Sequence, residues 1–240
     1  MNVRELGGLP TADGGETHFG SVVRADCVRQ LSEDGWRALV GHGIRTVIDL
    51  RGDHEREEDP PAELPVEVVH VPFMEASEAE WEEIAEEIEA AAAAAPDVAT
   101  SPREVYLIFL ERFRDNVAAA VRAVARAPEG GVVIHCVGGK DRTGLLAAFL
   151  LHLAGVDDET IAADYALSEE RLLPRHEAWF AAAQSEEELE RLRRIARTPS
   201  DSMVGVFAEL ERRYGGVEAY LRDTGVGADE LELARARLRG

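Results

Sequence analysis

The chain has 240 residues, of which 45% are hydrophobic and 30% are charged. These proportions are typical of a globular protein, and this length fits one large domain or two small ones. Lys and Arg number 26 against 47 Asp and Glu, which gives a net charge of −21. Because non-specific binding to nucleic acids or anionic membranes needs a basic surface, we expect no nucleic-acid partner.

Cysteine content and hydropathy predict a cytoplasmic protein. The two cysteines, Cys27 and Cys136, are too few for a disulfide framework and are typical of a reducing compartment. The first residues do not combine a basic start with an apolar run, so we expect no signal peptide. No run approaches the ~18 apolar residues of a membrane span, so we expect no stable membrane insertion.

The first third of the chain predicts short strands around one helix. Ser21–Arg24, Thr46–Leu50 and Val66–Phe73 have the length and the β-branched content of strands. Ser32 provides an N-cap for a helix that we expect to end near Gly41–Gly43.

A Glu-rich stretch follows these strands. Between Glu75 and Glu89 there are eight Glu and no basic residue. Ser77 and Glu80 have the spacing of a capping box, so we expect an amphipathic helix here. Its apolar face consists of Trp81, Ile84, Ala85 and Ile88. This helix either covers a functional site or is a solvated surface helix without a functional role.

The second half predicts further helices and one buried strand. A second capping box with Pro at the first helical position, Ser101–Glu104, predicts a helix that runs to about Arg126. Val132–His135 reads as a buried strand and Gly144–Leu153 as an apolar helix. Later helices are expected at Thr160–Leu167, Glu186–Ala196, Ser202–Tyr214, Gly216–Arg222 and Asp229–Arg239. The alternation predicts an α/β fold whose central, mainly parallel sheet is flanked by helices on both faces.

The segment between the buried strand and the apolar helix is rich in functional residue types. It reads His-Cys-Val-Gly-Gly-Lys-Asp-Arg-Thr-Gly from His135 to Gly144. A tight loop that enters a helix N-terminus directs several backbone N–H groups toward one point, where the helix dipole also favours an anion. We therefore expect a phosphate site. The residues expected to bind the phosphate are Val137, Gly138, Gly139, Lys140, Asp141, Arg142 and Thr143.

The same loop predicts a reaction. Its N–H groups and the helix N-terminus stabilise the thiolate of Cys136, and Arg142 holds two phosphate oxygens. Thr143 is placed to hydrogen-bond the sulfur. These groups suit phosphoryl transfer to sulfur followed by hydrolysis of the phosphocysteine. A buried structural cysteine is the alternative. It does not account for the whole pattern His-Cys-x-x-Gly-x-x-Arg-Thr-Gly in a strand–loop–helix context.

At Cys136 and Arg142 the chain resembles the cysteine-dependent phosphatases, whose signature is Cys-x5-Arg. Gly139–Gly144 is similar to the bacterial tyrosine phosphatase family that also has phosphoinositide-active members. Further similar blocks are Asn2–Leu9, Thr11–Gly14, Arg24-Ala25, Gly43–Arg51 and Tyr214–Val217. The resemblance implies a single phosphatase domain over residues 1–240, with an acidic helical insertion at about 75–100 over the active site. It also implies no cofactor and no metal, with Cys136, Asp141 and Arg142 as the catalytic residues.

Three functions remain open at this stage. The first is hydrolysis of phosphomonoesters, chiefly protein phosphotyrosine and with dual specificity, which releases inorganic phosphate. The second is a phosphoinositide or inositol-phosphate phosphatase that acts on a phospholipid headgroup, which Lys140 favours. The third is a non-catalytic phosphate-binding module, against which the retained Cys136 counts.

The general acid also has several candidates. Asp141 is the first because the family pattern carries Asp at that place. Asp49 and Asp53 follow a strand end, and Glu75 lies where many cysteine phosphatases keep a mobile acid. Whether the acidic helix is a mobile lid, and the oligomeric state, are open as well.

Four residues near these elements have alternative roles. Arg24 and Arg51 either line the pocket or form ordinary ion pairs. We expect His135 to brace the loop. Cys27 either forms a protective disulfide with Cys136 under oxidation or is a small buried residue.

Overall fold

A twisted sheet with helices on both faces forms the centre of the molecule. The structure is a computed structural model that describes residues 1–58, 66–97 and 100–240, without the side chains of Gln30 and Thr100. Within these residues five strands form one sheet of order β1-β2-β5-β3-β4. The strands are β1 Arg4–Glu5, β2 Val22–Ala25, β3 Ile44–Asp49, β4 Glu67–His70 and β5 Gly131–His135. All neighbours are parallel except β1 and β2, so the predicted α/β class with a mainly parallel sheet is confirmed.

The described helices surround this sheet, some packed on its faces and others packed on neighbouring helices. Those before β5 are α1 Glu33–Gly41, α2 Asp53–Glu58, α3 Glu78–Ala94, α4 Thr100–Arg112 and α5 Arg114–Arg126. Those after β5 are α6 Arg142–Leu153, α7 Asp158–Ala182, α8 Glu186–Ala196, α9 Ser200–Tyr214, α10 Val217–Asp223 and α11 Ala228–Arg239. None of the described helices combines the length and the apolar content that crossing a membrane requires.

Alternation along the central strands separates two apolar clusters. Val132 and Ile134 of β5 face the larger cluster, to which α5 and α6 contribute. Val133 faces the opposite side and packs with Val47 of β3 and Leu39 of α1. Because successive side chains of a strand point to opposite faces, a run of apolar residues buries both sides of β5.

Two of the helix predictions are wrong in extent. The segment predicted as one helix to Arg126 is two helices, because Phe113 leaves helical geometry with φ −114° and ψ 34°. The helix predicted at Thr160–Leu167 instead continues to Ala182 with Pro174 inside it. Tertiary contacts stabilise its second half, among them a hydrogen bond from Arg175 to the Val137 carbonyl, and local sequence signals do not reveal such contacts. The strand predicted at Val66–Phe73 is shorter, at Glu67–His70.

The acidic helix begins as predicted. Ser77 Oγ accepts a hydrogen bond from the backbone N–H of Glu80, and the Glu80 carboxylate accepts one from the backbone N–H of Ser77, which confirms the capping box. The helix packs on α4, with Ile84 buried and the ring of Trp81 5.4 Å from that of Phe113, the residue that follows α4. Residues 98 and 99 of the predicted insertion lie outside the described residues, and its position over the active site stays a prediction.

The functional loops share one edge of the sheet. The parallel strands β2, β3 and β5 end there; Asp26 and Cys136 follow β2 and β5 directly, and Arg51 lies two residues after the end of β3. Ligands of open α/β sheets bind in the crevice beyond the carboxyl ends of the strands. The sheet therefore brings together chain segments that are about one hundred residues apart.

Candidate active site

The predicted loop joins β5 to α6. Cys136 follows β5 directly and is only 3% exposed, while α6 begins at Arg142, two residues before the predicted start. The backbone N–H of Gly139 donates to the Cys136 Sγ at 3.3 Å. A backbone donor and the start of α6 therefore lie close to the sulfur, and a helix N-terminus favours a bound anion.

The carbonyl groups of the loop bind donors from outside it. The carbonyl oxygens of Val137, Gly138 and Gly139 accept hydrogen bonds of 2.8–3.1 Å. The donors are Asn2 Nδ2, Arg24 Nη2, Cys27 N and Arg175 Nη1. In a trans peptide the C=O and the following N–H point in opposite directions. The amides that follow these carbonyls are therefore directed away from the outer donors, into the loop.

Gly139 is required where the loop passes closest to β2. Its φ is +64°, a left-handed conformation that favours glycine. A Cβ at this position would lie 2.4 Å from the carbonyl oxygen of Ala25, well inside van der Waals contact. Gly138 differs, since a Cβ there would meet no atom within 4 Å.

Arg24 is an ion-pair partner that also braces the loop. Its guanidinium is buried and binds Asp164 of α7 at 2.6 Å as well as the Gly139 carbonyl at 2.8 Å. Arg4 binds the other oxygen of Asp164 at 2.6 Å. Burial raises the pKa of Asp164, but the charges of Arg24 and Arg4 outweigh this and lower it overall. The result is a buried Arg–Asp–Arg bridge between β1, β2 and α7.

Arg142 is fixed by a residue that the sequence analysis missed. Glu55 in α2 accepts from Arg142 Nη1 at 2.5 Å and from Nη2 at 2.8 Å. Burial lowers the pKa of Arg142, but the hydrogen bonds that it donates to Glu55 and the charge of Cys136 raise it overall, so the guanidinium stays charged. One signal was available: Glu55 comes just after the end of β3, the edge where Arg142 also needs a counter-charge.

Asp141 lies between a cation and a buried tyrosine. Its Oδ1 accepts from Lys140 Nζ at 2.6 Å and from the Tyr106 hydroxyl at 2.5 Å. The Tyr106 hydroxyl also lies 2.7 Å from the Tyr165 hydroxyl. Burial raises the pKa of Asp141, but the charge of Lys140 and the two hydrogen bonds lower it overall. Tyr106 comes from α4 and Tyr165 from α7, and the sequence analysis assigned neither a role.

The other candidate acids have different partners. Asp49 is buried and accepts from Arg51 Nη2 at 2.8 Å, so it is the anion of an internal ion pair. Arg51 is the ordinary ion-pair partner that one interpretation expected. Asp53 begins α2 with an exposed side chain. Glu75 Oε2 accepts from the backbone N–H of Asp53 at 3.1 Å, which satisfies a donor at the start of α2.

The remaining candidates lie against the loop. The ring nitrogens of His135 lie 3.1 Å from the Cys136 carbonyl oxygen and 3.5 Å from Asp49, contacts suited to bracing. Cys27 and Cys136 are both buried, and they are not joined in a disulfide. Cys27 Sγ contacts Arg51 Nη1 at 3.8 Å. Thr143 Oγ1 is buried and makes no hydrogen bond within the described part of the chain, so the expected bond to sulfur is not formed.

No group of three or more His, Cys, Asp or Glu among the described residues is arranged to hold a metal ion. The groups that converge at this edge of the sheet include a cysteine, backbone amides, the Arg142 guanidinium, the Lys140 ammonium and the Asp141 carboxylate. Such a set binds an oxyanion and presents a nucleophile and a proton carrier to it.

Comparison with known proteins agrees with this geometry. The sequence model described as "Tyrosine phosphatase family" matches residues 1–240. A tyrosine-protein phosphatase of Nostoc commune is 29% identical, over 90% of this chain and 73% of that protein. The triple specificity protein phosphatase PtpB of Mycobacterium tuberculosis is 25% identical, over 92% of this chain and 91% of that protein. Because the family match covers its whole length, the chain belongs to the tyrosine phosphatase family of hydrolases.

Proposed function

We propose that the chain hydrolyses phosphomonoesters, chiefly protein phosphotyrosine, through a phosphocysteine on Cys136. The observation that carries the proposal is the orientation of the loop. Three of its carbonyls accept hydrogen bonds from donors outside the loop, so the amides that follow them face its inside, where a tetrahedral dianion would bind next to the sulfur. Donors fixed in advance are effective because they do not have to reorganise as charge develops in the transition state.

The reaction has two steps. In the first, the thiolate of Cys136 attacks phosphorus, the P–O bond to the leaving group breaks, and Asp141 gives that oxygen a proton. In the second, water attacks phosphorus, Asp141 takes its proton, and the P–S bond breaks to release inorganic phosphate and the thiolate. Glu55 orients the guanidinium of Arg142, which presents its remaining N–H donors to the equatorial oxygens of the phosphoryl group.

Asp141 is the proposed acid because it alone among the candidates lies in the loop without a permanent guanidinium partner. Against the effect of burial, the charge of Lys140 and the hydrogen bonds to Asp141 lower the pKa of its carboxyl group, so the carboxylate of Asp141 is ionised. A bound phosphate dianion competes for the ammonium of Lys140. Weakening the Lys140–Asp141 pair raises the pKa of the carboxyl group and favours the protonated form that the first step needs.

Turnover of an aryl phosphate in the presence of a chelator tests the proposal. We expect Cys136→Ser to abolish it, whereas a phosphate-binding module would never have shown it. Asp141→Asn is expected to lower kcat on an alkyl phosphate by more than about tenfold, since general acid catalysis contributes ~10²–10⁴. If Asp141→Asn matches the parent while Glu75→Gln loses activity, Glu75 is the acid.

A second candidate substrate class is phosphoinositides or inositol phosphates. It is supported by Lys140, the single Lys of the chain, whose side chain is only 11% exposed beside the loop. The printed name of the relative PtpB, triple specificity, supports a range wider than phosphotyrosine. A panel of phosphopeptides, including phosphoserine and phosphothreonine, and phosphoinositides separates the two. If headgroups are substrates, Lys140→Gln lowers their kcat/KM more than that of phosphotyrosine.

Two further parts of the proposal concern the setting of the enzyme. The acidic insertion at about 75–100 is proposed to cover the active site, supported by its packing on α4, which carries Tyr106. A cytoplasmic location is supported by the two cysteines, which are not joined in a disulfide.

A further inference from the structure

We propose that Tyr106 is the positioning residue for the proton transfer, and that it selects the oxygen of Asp141 that carries the proton. This inference rests on the proposed function, in which Asp141 is the general acid. It adds a residue from a distant helix, α4, and a second tyrosine, Tyr165, that holds the first in place.

The first step of the argument is the asymmetry of the Asp141 carboxyl group. Lys140 Nζ and the Tyr106 hydroxyl bind the same oxygen, Oδ1, at 2.6 and 2.5 Å. Among the described residues Oδ2 receives no hydrogen bond. A carboxylic acid donates through one oxygen and accepts through the other. With Oδ1 already accepting, the proton resides on Oδ2.

The second step is the direction of the hydrogen bonds. The carboxylate of Asp141 only accepts, so the hydroxyl hydrogen of Tyr106 lies toward Asp141. The Tyr106 oxygen is then the acceptor for the hydroxyl of Tyr165, 2.7 Å away. Burial and the charge of Asp141 raise the pKa of both tyrosines, so both stay protonated donors. The chain therefore runs from Tyr165 to Tyr106 to Asp141.

The third step is the rigidity of this chain. Tyr106 is 2% and Tyr165 0% exposed, and their rings pack edge to face with centroids 6.0 Å apart. The two rings come from different helices, α4 and α7, and both are buried in the larger apolar cluster. Lys140 is the opposite kind of partner, a flexible cation that substrate phosphate attracts. When Lys140 turns to the phosphate, Tyr106 is the contact that keeps the Asp141 carboxyl oriented.

The decisive measurement is the dependence of kcat on the leaving group. A phenolate such as dinitrophenolate leaves without protonation, whereas the phenolate of tyrosine needs a proton from the acid. We expect Tyr106→Phe to lower kcat about tenfold on a phosphotyrosine peptide and less than about twofold on dinitrophenyl phosphate. Tyr165→Phe gives a smaller loss with the same substrate dependence, and it supplies the test if Tyr106→Phe does not fold.

Two controls separate positioning from damage to the fold. Tyr220 is equally buried, and its hydroxyl binds the Leu110 carbonyl at 2.7 Å, so Tyr220→Phe removes a comparable hydroxyl outside the site. Tyr220→Phe should have the parental kcat on both substrates. In the Asp141→Asn background, Tyr106→Phe should have no additional effect, because a residue that acts through Asp141 has nothing left to position.

The outcomes are distinct. Equal losses on both substrates, parental kcat on both, or a further loss in the Asp141→Asn background would overturn the role of Tyr106 and leave the proposed function standing. If Asp141→Asn itself shows no dependence on the leaving group, the acid assignment fails, and this inference fails with it. Activity that survives Cys136→Ser would overturn the proposed function itself.

Discussion

Glu55 holds both terminal nitrogens of Arg142, through contacts of 2.5 and 2.8 Å. One of its oxygens also accepts from the backbone N–H of Gly52 at 2.8 Å, which ties the carboxylate to the loop after β3. Burial raises the pKa of Glu55, but its bonds to Arg142 lower it overall, so it stays ionised beside the site. The pair fixes the plane of the guanidinium before any phosphate is bound.

Glu55→Gln therefore tests how much activity depends on that plane. The amide of Gln has only one oxygen, so it cannot accept the two parallel hydrogen bonds that Nη1 and Nη2 of Arg142 donate to the two carboxylate oxygens. We therefore expect kcat/KM on an aryl phosphate to fall by about 10- to 100-fold. Glu57→Gln is the matched control, since Glu57 is exposed on the same helix. Parental kcat/KM in Glu55→Gln would show that Arg142 orients itself.

The two adjacent glycines of the loop are expected to respond differently to the same change. Gly139→Ala places a methyl group 2.4 Å from the Ala25 carbonyl oxygen in a left-handed conformation. We expect it to lower the free energy of unfolding by about 1–3 kcal/mol. Gly138→Ala has open space around the new methyl group and should unfold at the parental temperature. Thermal denaturation of the pair decides this, and similar Tm values would contradict the close approach of loop and β2.

The buried bridge predicts how stability depends on pH. Asp164→Asn leaves Arg4 and Arg24 without their anion, and we expect a loss of about 3–5 kcal/mol at pH 7. The pKa of Asp164 is lowered in the folded state, so its contribution is fully present above the unfolded pKa of ~3.9. It is lost as pH falls through the folded pKa. The difference between parent and variant in urea denaturation should therefore shrink below about pH 4.

Asp201→Asn is the control for this measurement, because Asp201 is exposed on α9. Its free energy of unfolding should stay within about 0.5 kcal/mol of that of the parent, both at pH 7 and below about pH 4. A difference between parent and Asp164→Asn that is constant with pH would contradict the ionised bridge.

His135 gives a second pH-dependent contribution. Burial is the main cause that lowers its pKa in the folded protein, while the charge of Asp49 opposes it. A histidine that folds neutral contributes stability that is present above the unfolded pKa of ~6.5 and is lost as pH falls below it. The parent should therefore lose stability between about pH 6.5 and 5, and His135→Gln should lose less over that interval. Equal slopes in the two proteins would count against this.

The sequence predicted the local part of the site well, because that part is one continuous segment. His135 to Gly144 contains the strand end, the nucleophile, the glycine turn and the helix start. The groups that shape this segment come from elsewhere, and Asn2, Glu55 and Tyr106 are each separated from it by tens of residues. No periodicity or spacing links them to it. Of these, only Asn2 belonged to a block that resembled the family.

Helix α7 shows why the rest was missed. Local signals ended it at Leu167, and Pro174 is a residue that normally breaks a helix. Beyond that point Arg175 donates to the Val137 carbonyl at 3.1 Å and His176 is buried. These tertiary contacts stabilise the second half of the helix, and they become visible only once the loop and the helix are in place.

The outward-facing carbonyls tie the phosphate loop to the whole molecule. Their donors come from the N-terminal segment, from β2 and the turn after it, and from the far half of α7. The binding cradle therefore assembles only when the entire tertiary structure does. Catalytic activity and helical circular dichroism should disappear at the same urea concentration, and vanadate should shift that midpoint upward by mass action.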